Sequence, residues 1–342
     1  MASTARAKLP DPARLLSAPA RWTLPELALW VAAAACFWVF PSKLLLLNEV
    51  AILALFALSL DLILGYAGIV SLGHAAFFGV GAYAAGLLAK HGIADPLVGL
   101  AVAAAAAGIV GFLSSFLVLR GSDLTRLMVT LGIALLLFEL ANRLDWITGG
   151  ADGLQGITMG PLLGLFEFDL YGRTAFVYST TVLFALFLVA RRVVHSPFGL
   201  SLRAVKGNLL RARAVGISSS TRIVAIYTLA AVYAGVAGGL TAQTSQFVSL
   251  DVFDFHRSAD VMLVLVLGGT GYLYGGIIGA LIFRLMQDWL AGITPQYWQF
   301  WIGLVLVLVV LVGRERIEGL PRGLQGLLRR LMGRPAAEGT RP

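Results

Sequence analysis

Charge is scarce in this sequence. Asp, Glu, Lys and Arg make up 13% of 342 residues, about half the ~25% of an ordinary soluble domain. That scarcity excludes a disordered chain and a solvated coiled coil, which both need charged surfaces. Cysteine is scarcer still. Cys36 stands alone, so no disulfide framework can form within the chain. The four histidines, His74, His91, His195 and His256, are far apart, and no H-E-x-x-H pattern occurs; the usual metalloprotease site is missing. None of the four lysines, Lys8, Lys43, Lys90 and Lys206, follows a G-x-x-x-x-G loop, so this chain is not expected to bind and hydrolyse ATP itself. The glycine run 268–276 lies in an apolar stretch without a βαβ context, which removes the dinucleotide-binding reading. No catalytic pair stands at a sensible spacing, and the chain does not read as an enzyme, with no metal or other cofactor of its own.

What is abundant is apolar. Residues of the set AVILMFWYC make up 58% and glycine adds 39 positions. This is the composition of an all-α polytopic membrane protein, in which every backbone group must be satisfied inside a helix. A span needs about 20 apolar residues. Ten candidates are read: 24–40, 44–64, 68–89, 97–119, 124–141, 174–190, 223–243, 259–275, 276–290 and 298–312. The first 22 residues carry charges and Pro10, Pro12 and Pro19 without an apolar core, so a cleaved signal peptide is not expected.

The net charge of +8 can mean nucleic acid, but Lys and Arg also collect in cytoplasmic loops. The N-terminus holds Arg6, Lys8, Arg14 and Arg21. The loop 191–222 holds Arg191, Arg192, Arg203, Lys206, Arg211, Arg213 and Arg222 with no acid, and the tail from Arg314 has seven arginines against three glutamates. Placing all three inside requires six spans and then four, which the ten-span reading supplies. The outer segments then hold Asp145, Asp152, Glu167, Asp169, Asp251 and Asp254 against three arginines. The expected organisation is a cytoplasmic segment 1–23, a transmembrane domain 24–313 with the loop 191–222, and a cytoplasmic tail 314–342.

Ten spans divide five and five, and an odd number per half admits an inverted repeat. Gly-rich segments occupy the third span of each half, around Gly65–Tyr83 and Gly268–Gly279. Paired glycine-interrupted spans point to a transport pathway; the alternative is close helix packing through Gly235/Gly239 and Gly271/Gly275/Gly279, spaced by four. Ionisable residues within spans are expensive. Glu49, Asp61, Glu139, Asp260, Arg284 and Asp288 are the candidates. Asp61 and Glu139 are read as the deep ones, each either a proton site of a secondary carrier or a structural hydrogen-bond acceptor. His74 is read as hydrogen-bonded inside the bundle.

In the loop 191–222, Ser196-Pro197 reads as an N-cap with Pro at the first helical position. Leu202, Val205, Leu209 and Ala212 recur at helical spacing beside Arg203, Lys206 and Arg213, and Gly216 suits the C-cap. The segment is a short amphipathic helix that either lies on lipid or docks a cytoplasmic partner. A second amphipathic run with Leu320, Leu324, Leu327, Leu328 and Leu331 reads as a lipid-surface helix.

The stretch Gly65–Tyr83 resembles the signature of branched-chain amino-acid ABC importer permeases of the LivM type. The likeness continues through Gly149-Gly150-Ala151-Asp152-Gly153-Leu154, His195-Ser196-Pro197-Phe198-Gly199, Arg203-Ala204-Val205, Arg211-Ala212-x-x-x-Gly216-Ile217 and Leu267-Gly268-Gly269-Thr270-Gly271. It covers roughly residues 44–315. It implies an ABC importer permease fold in the bacterial inner membrane, both termini cytoplasmic. The implied partners are a second permease, two cytoplasmic ATPases that bind the ATP, a periplasmic substrate-binding protein and the membrane lipid, with no nucleic acid. It also implies that Phe198, Gly199, Arg203, Lys206, Arg211, Ala212, Arg213 and Gly216 form the coupling helix against an ATPase. Asp61, Ser71, Gly73, His74, Gly268, Gly269 and Gly271 become candidates for the translocation pathway. In many importers the coupling motif reads Glu-Ala-Ala-x-x-x-Gly; here no glutamate precedes Arg211-Ala212. Related systems carry urea, short amides or aromatic acids as well as branched-chain amino acids.

Overall fold

The computed structural model describes residues 24–312 apart from positions 120, 122 and 170. The basic N-terminal segment and the amphipathic run near Leu320 lie outside these residues. Among the described residues the chain is helical, with only two isolated β-bridges. Six helices are long and apolar enough to cross a bilayer: α2 (Leu44–Leu64, led by the 3-10 turn Pro41–Lys43), α4 (Pro96–Val118), α5 (Asp123–Arg143), α7 (Arg173–Val194), α10 (Ser219–Ser245) and α12 (Gly275–Ile293). Four more apolar helices are shorter: α1 (Leu24–Val39), α3 (Ala75–Lys90), α11 (Phe255–Gly268) and α13 (Trp298–Val312). The remaining three, α6 (Asp145–Thr148), α8 (Pro197–Gly207) and α9 (Leu209–Ala214), are polar or brief.

Two stretches expected as single spans are therefore interrupted. The stretch 68–89 becomes helical only at Ala75, because Gly68 turns the chain at φ +73°. The stretch 259–275 stops at Gly268, where Gly269 and Gly271 take φ +95° and +80°. Only glycine adopts these angles without strain. The second interruption separates α11 from α12, so the apolar run 259–290 is two helices, as the sequence suggests.

The chain divides into two compact units, Met1–Arg284 and Leu285–Pro342. In the first, α10 packs along α3, α4 and α2. The contacts are backbone-close because of small residues. A Cβ on Gly235 would meet Ala107 Cβ at 2.2 Å, one on Gly81 would meet the Gly235 carbonyl oxygen at 2.1 Å, and one on Gly238 would meet that of Phe78 at 1.9 Å. This is small-residue packing, in which dispersion replaces the hydrophobic effect that lipid cannot supply. Helix α2 has apolar residues all round and is buried all round from Ala54 to Ile63, as such a helix must be. By contrast Ile109, Phe112, Leu113, Phe116 and Leu117 of α4 are exposed, a surface that only acyl chains or another apolar surface would cover. The second unit's described residues are the last turns of α12 and all of α13, which exposes Phe300, Leu304, Val307 and Leu308.

One end of the first unit gathers the start of α10, the helices α8 and α9, and both glycine interruptions. The other end gathers the 144–173 and 246–254 connections, joined by the antiparallel Leu154–Val248 bridge, with N···O distances of 2.7 and 3.3 Å. Asp95 caps α4 there, accepting from Leu97 N at 2.8 Å and Val98 N at 3.3 Å.

Candidate functional site: a cationic helix pair on two interrupted helices

The two glycine interruptions, more than 200 residues apart in sequence, touch. Asp61, in the last turn of α2, accepts a hydrogen bond on Oδ1 from the Gly271 backbone N–H at 2.7 Å. Its carboxylate is wholly buried, and Oδ2 has no hydrogen-bond partner among the described residues. A Cβ at Gly65 would lie 2.5 Å from the Gly271 nitrogen, so glycine is what permits the approach. Gly275 and Gly279 line the α11–α12 crossing, where added Cβ atoms would meet the carbonyl oxygens of Gly269 at 2.0 Å and Val264 at 2.1 Å. Gly268 packs as closely on Gly275, at 1.8 Å from its carbonyl oxygen. Gly271, counted with these two as a helical packing residue, is outside any helix.

Against this junction lies the loop 191–222. It holds two helices rather than the single one expected. Gly207 ends α8, and Asn208 leaves helical backbone with φ −159° before capping α9 by accepting from Arg211 N at 2.9 Å. The apolar stripe survives the break: Leu202, Val205 and Ala212 are buried. Pro197 starts α8, but Ser196 does not cap it; its hydroxyl donates to the Val193 carbonyl at 2.6 Å. Gly216, at φ +88°, closes α9 in a Schellman motif, with Gly216 N to Arg213 O at 2.9 Å and Ile217 N to Ala212 O at 3.0 Å.

Three cations of this loop point back into the protein. Lys206 Nζ donates to the Gly65 carbonyl at 2.6 Å, and its methylenes rest on Gly68. Arg203 lies over the Tyr66 ring at 5.4 Å. Arg213 Nε donates to Ser219 Oγ at 3.0 Å, joining α9 to the start of α10. Phe198 is covered by Arg222 at 5.2 Å, and Gly199 sits tightly on the Val194 carbonyl. The outer side of the pair is left apolar and cationic: Leu210 and Val215 are 76% and 81% exposed, with Arg211 exposed between them.

The family described as "Branched-chain amino acid transport system / permease component" matches residues 43–310. The chain belongs to this family. Curated relatives include the high-affinity branched-chain amino acid transport system permease protein LivM of Salmonella typhimurium and of Escherichia coli K12, each 29% identical over 280 residues. The alignments cover 74% of this chain and 64% of each relative's length. The galactofuranose transporter permease protein YtfT of Escherichia coli is 24% identical over 301 residues, 84% of both chains. No solved structure matches. The permease thus has sugar-permease relatives as well as amino-acid ones.

The other pathway candidates, His74, Gly73 and Ser71, lie within the first interruption. His74 is wholly buried, with Nε2 2.8 Å from Ser59 Oγ and its ring stacked on Phe56 at 5.6 Å. Gly73 presses on the Thr130 carbonyl, 1.8 Å from where a Cβ would lie. Ser71 is wholly buried beside Tyr227. Among the described residues no group of three His, Cys, Asp or Glu side chains could hold a metal ion.

Several ionisable residues stand elsewhere than the sequence suggests. Glu139 is not buried in the bundle: it is 53% exposed and pairs with Arg143 at 2.8 Å, one turn along the end of α5. Arg191, counted among the loop cations, is buried in the last turn of α7, where it binds Glu26 at 2.6 Å and the Tyr274 hydroxyl at 3.0 Å. Glu49 pairs with Arg284. At the start of α11, Asp254 Oδ1 holds the His256 ring at 3.0 Å. Asp260 was among the candidates, but Arg257, three positions before it in α11, was not singled out. Its signal was a basic residue three positions before an acid at the mouth of an apolar helix.

Proposed function

We propose that this chain is a permease subunit of an ABC importer for branched-chain or related amino acids. It forms the translocation pathway with a second permease, is driven by two cytoplasmic ATPases and receives solute from a periplasmic binding protein. In this reading the ten apolar helices are ten spans of the bacterial inner membrane, arranged as two halves of five, with both termini and α8–α9 inside. The observation that carries it is the Lys206–Gly65 hydrogen bond, which ties the cationic helix pair to the junction of the two interrupted helices.

The mechanism follows from that tie. An ATPase groove that takes Leu210, Arg211 and Val215 moves α8–α9 as it closes on ATP. Lys206 and Arg203 carry the movement to Gly65 and Tyr66. Asp61 passes it to Gly271, so both interruptions shift together. A hydrogen bond from an ammonium contributes about 1.5–3 kcal/mol, within the ~1–3 kcal/mol typical of coupling between sites. Urea, short amides or aromatic acids are the alternative cargo within the same family. A proton-coupled carrier is favoured by no observation: Asp61 is bound to Gly271, and Glu139 to Arg143 at the surface.

The test is charge reversal at Arg203 and Arg213 together in the assembled transporter. Uptake and solute-stimulated ATP hydrolysis should be lost while the subunit still inserts. Normal uptake by the double variant, or uptake by this chain alone under a proton gradient, overturns the reading.

A further inference from the structure

At the end of the first unit opposite α8–α9, α11 begins inside the bundle. Asp254 caps it, accepting from His256 N at 3.1 Å. Ser258, wholly buried, accepts from Ala75 N at 2.9 Å. The first turn of α11 is thereby fixed on the first turn of α3. Between these anchors Arg257 lays its guanidinium over the buried Phe78 ring, at 5.2 Å. Asp260 follows three residues later on the same helical face. Both are only partly accessible.

These charges are opposite and one turn apart, yet no ion pair or hydrogen bond joins them among the described residues, and the Arg257 side chain makes only its ring contact. The other acids nearby are engaged: Asp254 with His256, and Asp251 with the Ser249 hydroxyl at 3.2 Å. Alongside, Tyr83 stacks on Phe253 at 5.5 Å, close enough to Asp251 to feel its charge, and its buried hydroxyl has no partner among the described residues. A guanidinium has five N–H donors. Leaving it and a carboxylate unanswered within a membrane bundle is costly. Such groups mark solute or ion pathways. A neutral sugar or urea would leave both charges uncompensated, whereas a solute carrying a carboxylate and an ammonium answers both.

We propose that Arg257 and Asp260 bind the zwitterionic head of an α-amino acid as it passes through the permease, the carboxylate on the Arg257 guanidinium above Phe78 and the ammonium on Asp260. Tyr83 supplies a further hydroxyl at the rim. The inference rests on the transport reading above and names residues that the coupling argument does not use.

The test is direct binding of tritiated L-leucine to the purified permease–ATPase complex without its binding protein, with leucinamide, 4-methylpentanoate and urea as competitors. The wild type should bind leucine, and each analogue lacking one charge should compete at least tenfold more weakly. Arg257→Gln should lose leucine affinity at least tenfold and leave leucinamide unchanged. Asp260→Asn should do the same with 4-methylpentanoate unchanged, and Arg257→Lys should restore part of the leucine affinity. No leucine binding by the wild type, wild-type affinity in both variants, or equal loss for every probe overturns the proposal. ATP-driven uptake by the full transporter, measured in parallel, separates these failures from failure of the transport reading itself: uptake that persists with Arg257→Gln unchanged sinks the site alone.

Discussion

The two helix interruptions share a glycine-rich composition and differ in how they are held. The first, residues 65–74, is braced from several sides. Lys206 grips the Gly65 carbonyl, Arg203 covers Tyr66, Thr130 Oγ1 accepts from Leu72 N at 3.3 Å, and His74 is anchored on Ser59. The second, residues 269–274, has close glycine contacts with α12 and a backbone N–H held by Asp61. The first is connected to the cationic helix pair directly; the second is tied to the first by Asp61, with Tyr66 also against the Leu273 backbone. In the proposed mechanism, force enters at the braced element and reaches the other through Asp61. A contiguous chain of contacts is a route for coupling only if breaking a link uncouples the ends, and each link here can be broken separately.

The largest effect should come from bulk inside the braced segment. Gly73→Val puts a side chain where a Cβ already lies 1.8 Å from the Thr130 carbonyl. Overpacking of this kind costs about 1–3 kcal/mol or more, so the variant should show a much lower thermal midpoint in detergent and little assembled transporter. Recovery of wild-type stability would mean that α5 does not press on the first interruption.

Cutting the link between the interruptions ranks next. Asp61→Ala removes the acceptor for Gly271 N and leaves that donor unsatisfied, a cost of about 1–3 kcal/mol. Uptake should fall at least tenfold while ATP hydrolysis continues. Asp61→Asn keeps an oxygen acceptor and should retain most uptake; equal loss in both variants would show that the charge matters rather than the tie.

Releasing the drive is a milder change. Lys206→Met keeps the apolar stem on Gly68 and removes only the donor to Gly65. The subunit should fold normally, with hydrolysis no longer stimulated by solute and uptake reduced severalfold. Unaltered coupling would move the drive point to Arg203 and Tyr66.

The smallest effect calibrates the rest. Arg143→Gln breaks an exposed pair with Glu139 remote from both interruptions, and surface pairs contribute little. Uptake and midpoint should stay within error. A large loss of uptake would restore Glu139 as a functional carboxylate.

Much of the helical inventory was legible because the signal is local. Apolar length, a proline after Ser196 and glycine at the ends of runs are written in consecutive residues. The i, i+4 pair of Glu139 and Arg143 was equally local, and an apolar setting alone made it look deep. The Gly207-Asn208 break was also readable, since asparagine prefers to open a helix, but a continuous apolar stripe masked it. The buried pair of Arg191 with Glu26 left no such trace, because its partners are 165 positions apart.

The sequence by itself determined a bilayer-soluble helical chain, with two glycine-rich segments and a cationic amphipathic loop at 191–222. Hydropathy, backbone freedom and charge asymmetry act within a few residues of one another. Only the tertiary structure decided that the interruptions meet at Asp61 and Gly271 and that Lys206 reaches the junction. Those contacts join residues that no local period relates, and packing alone brings them within bonding distance.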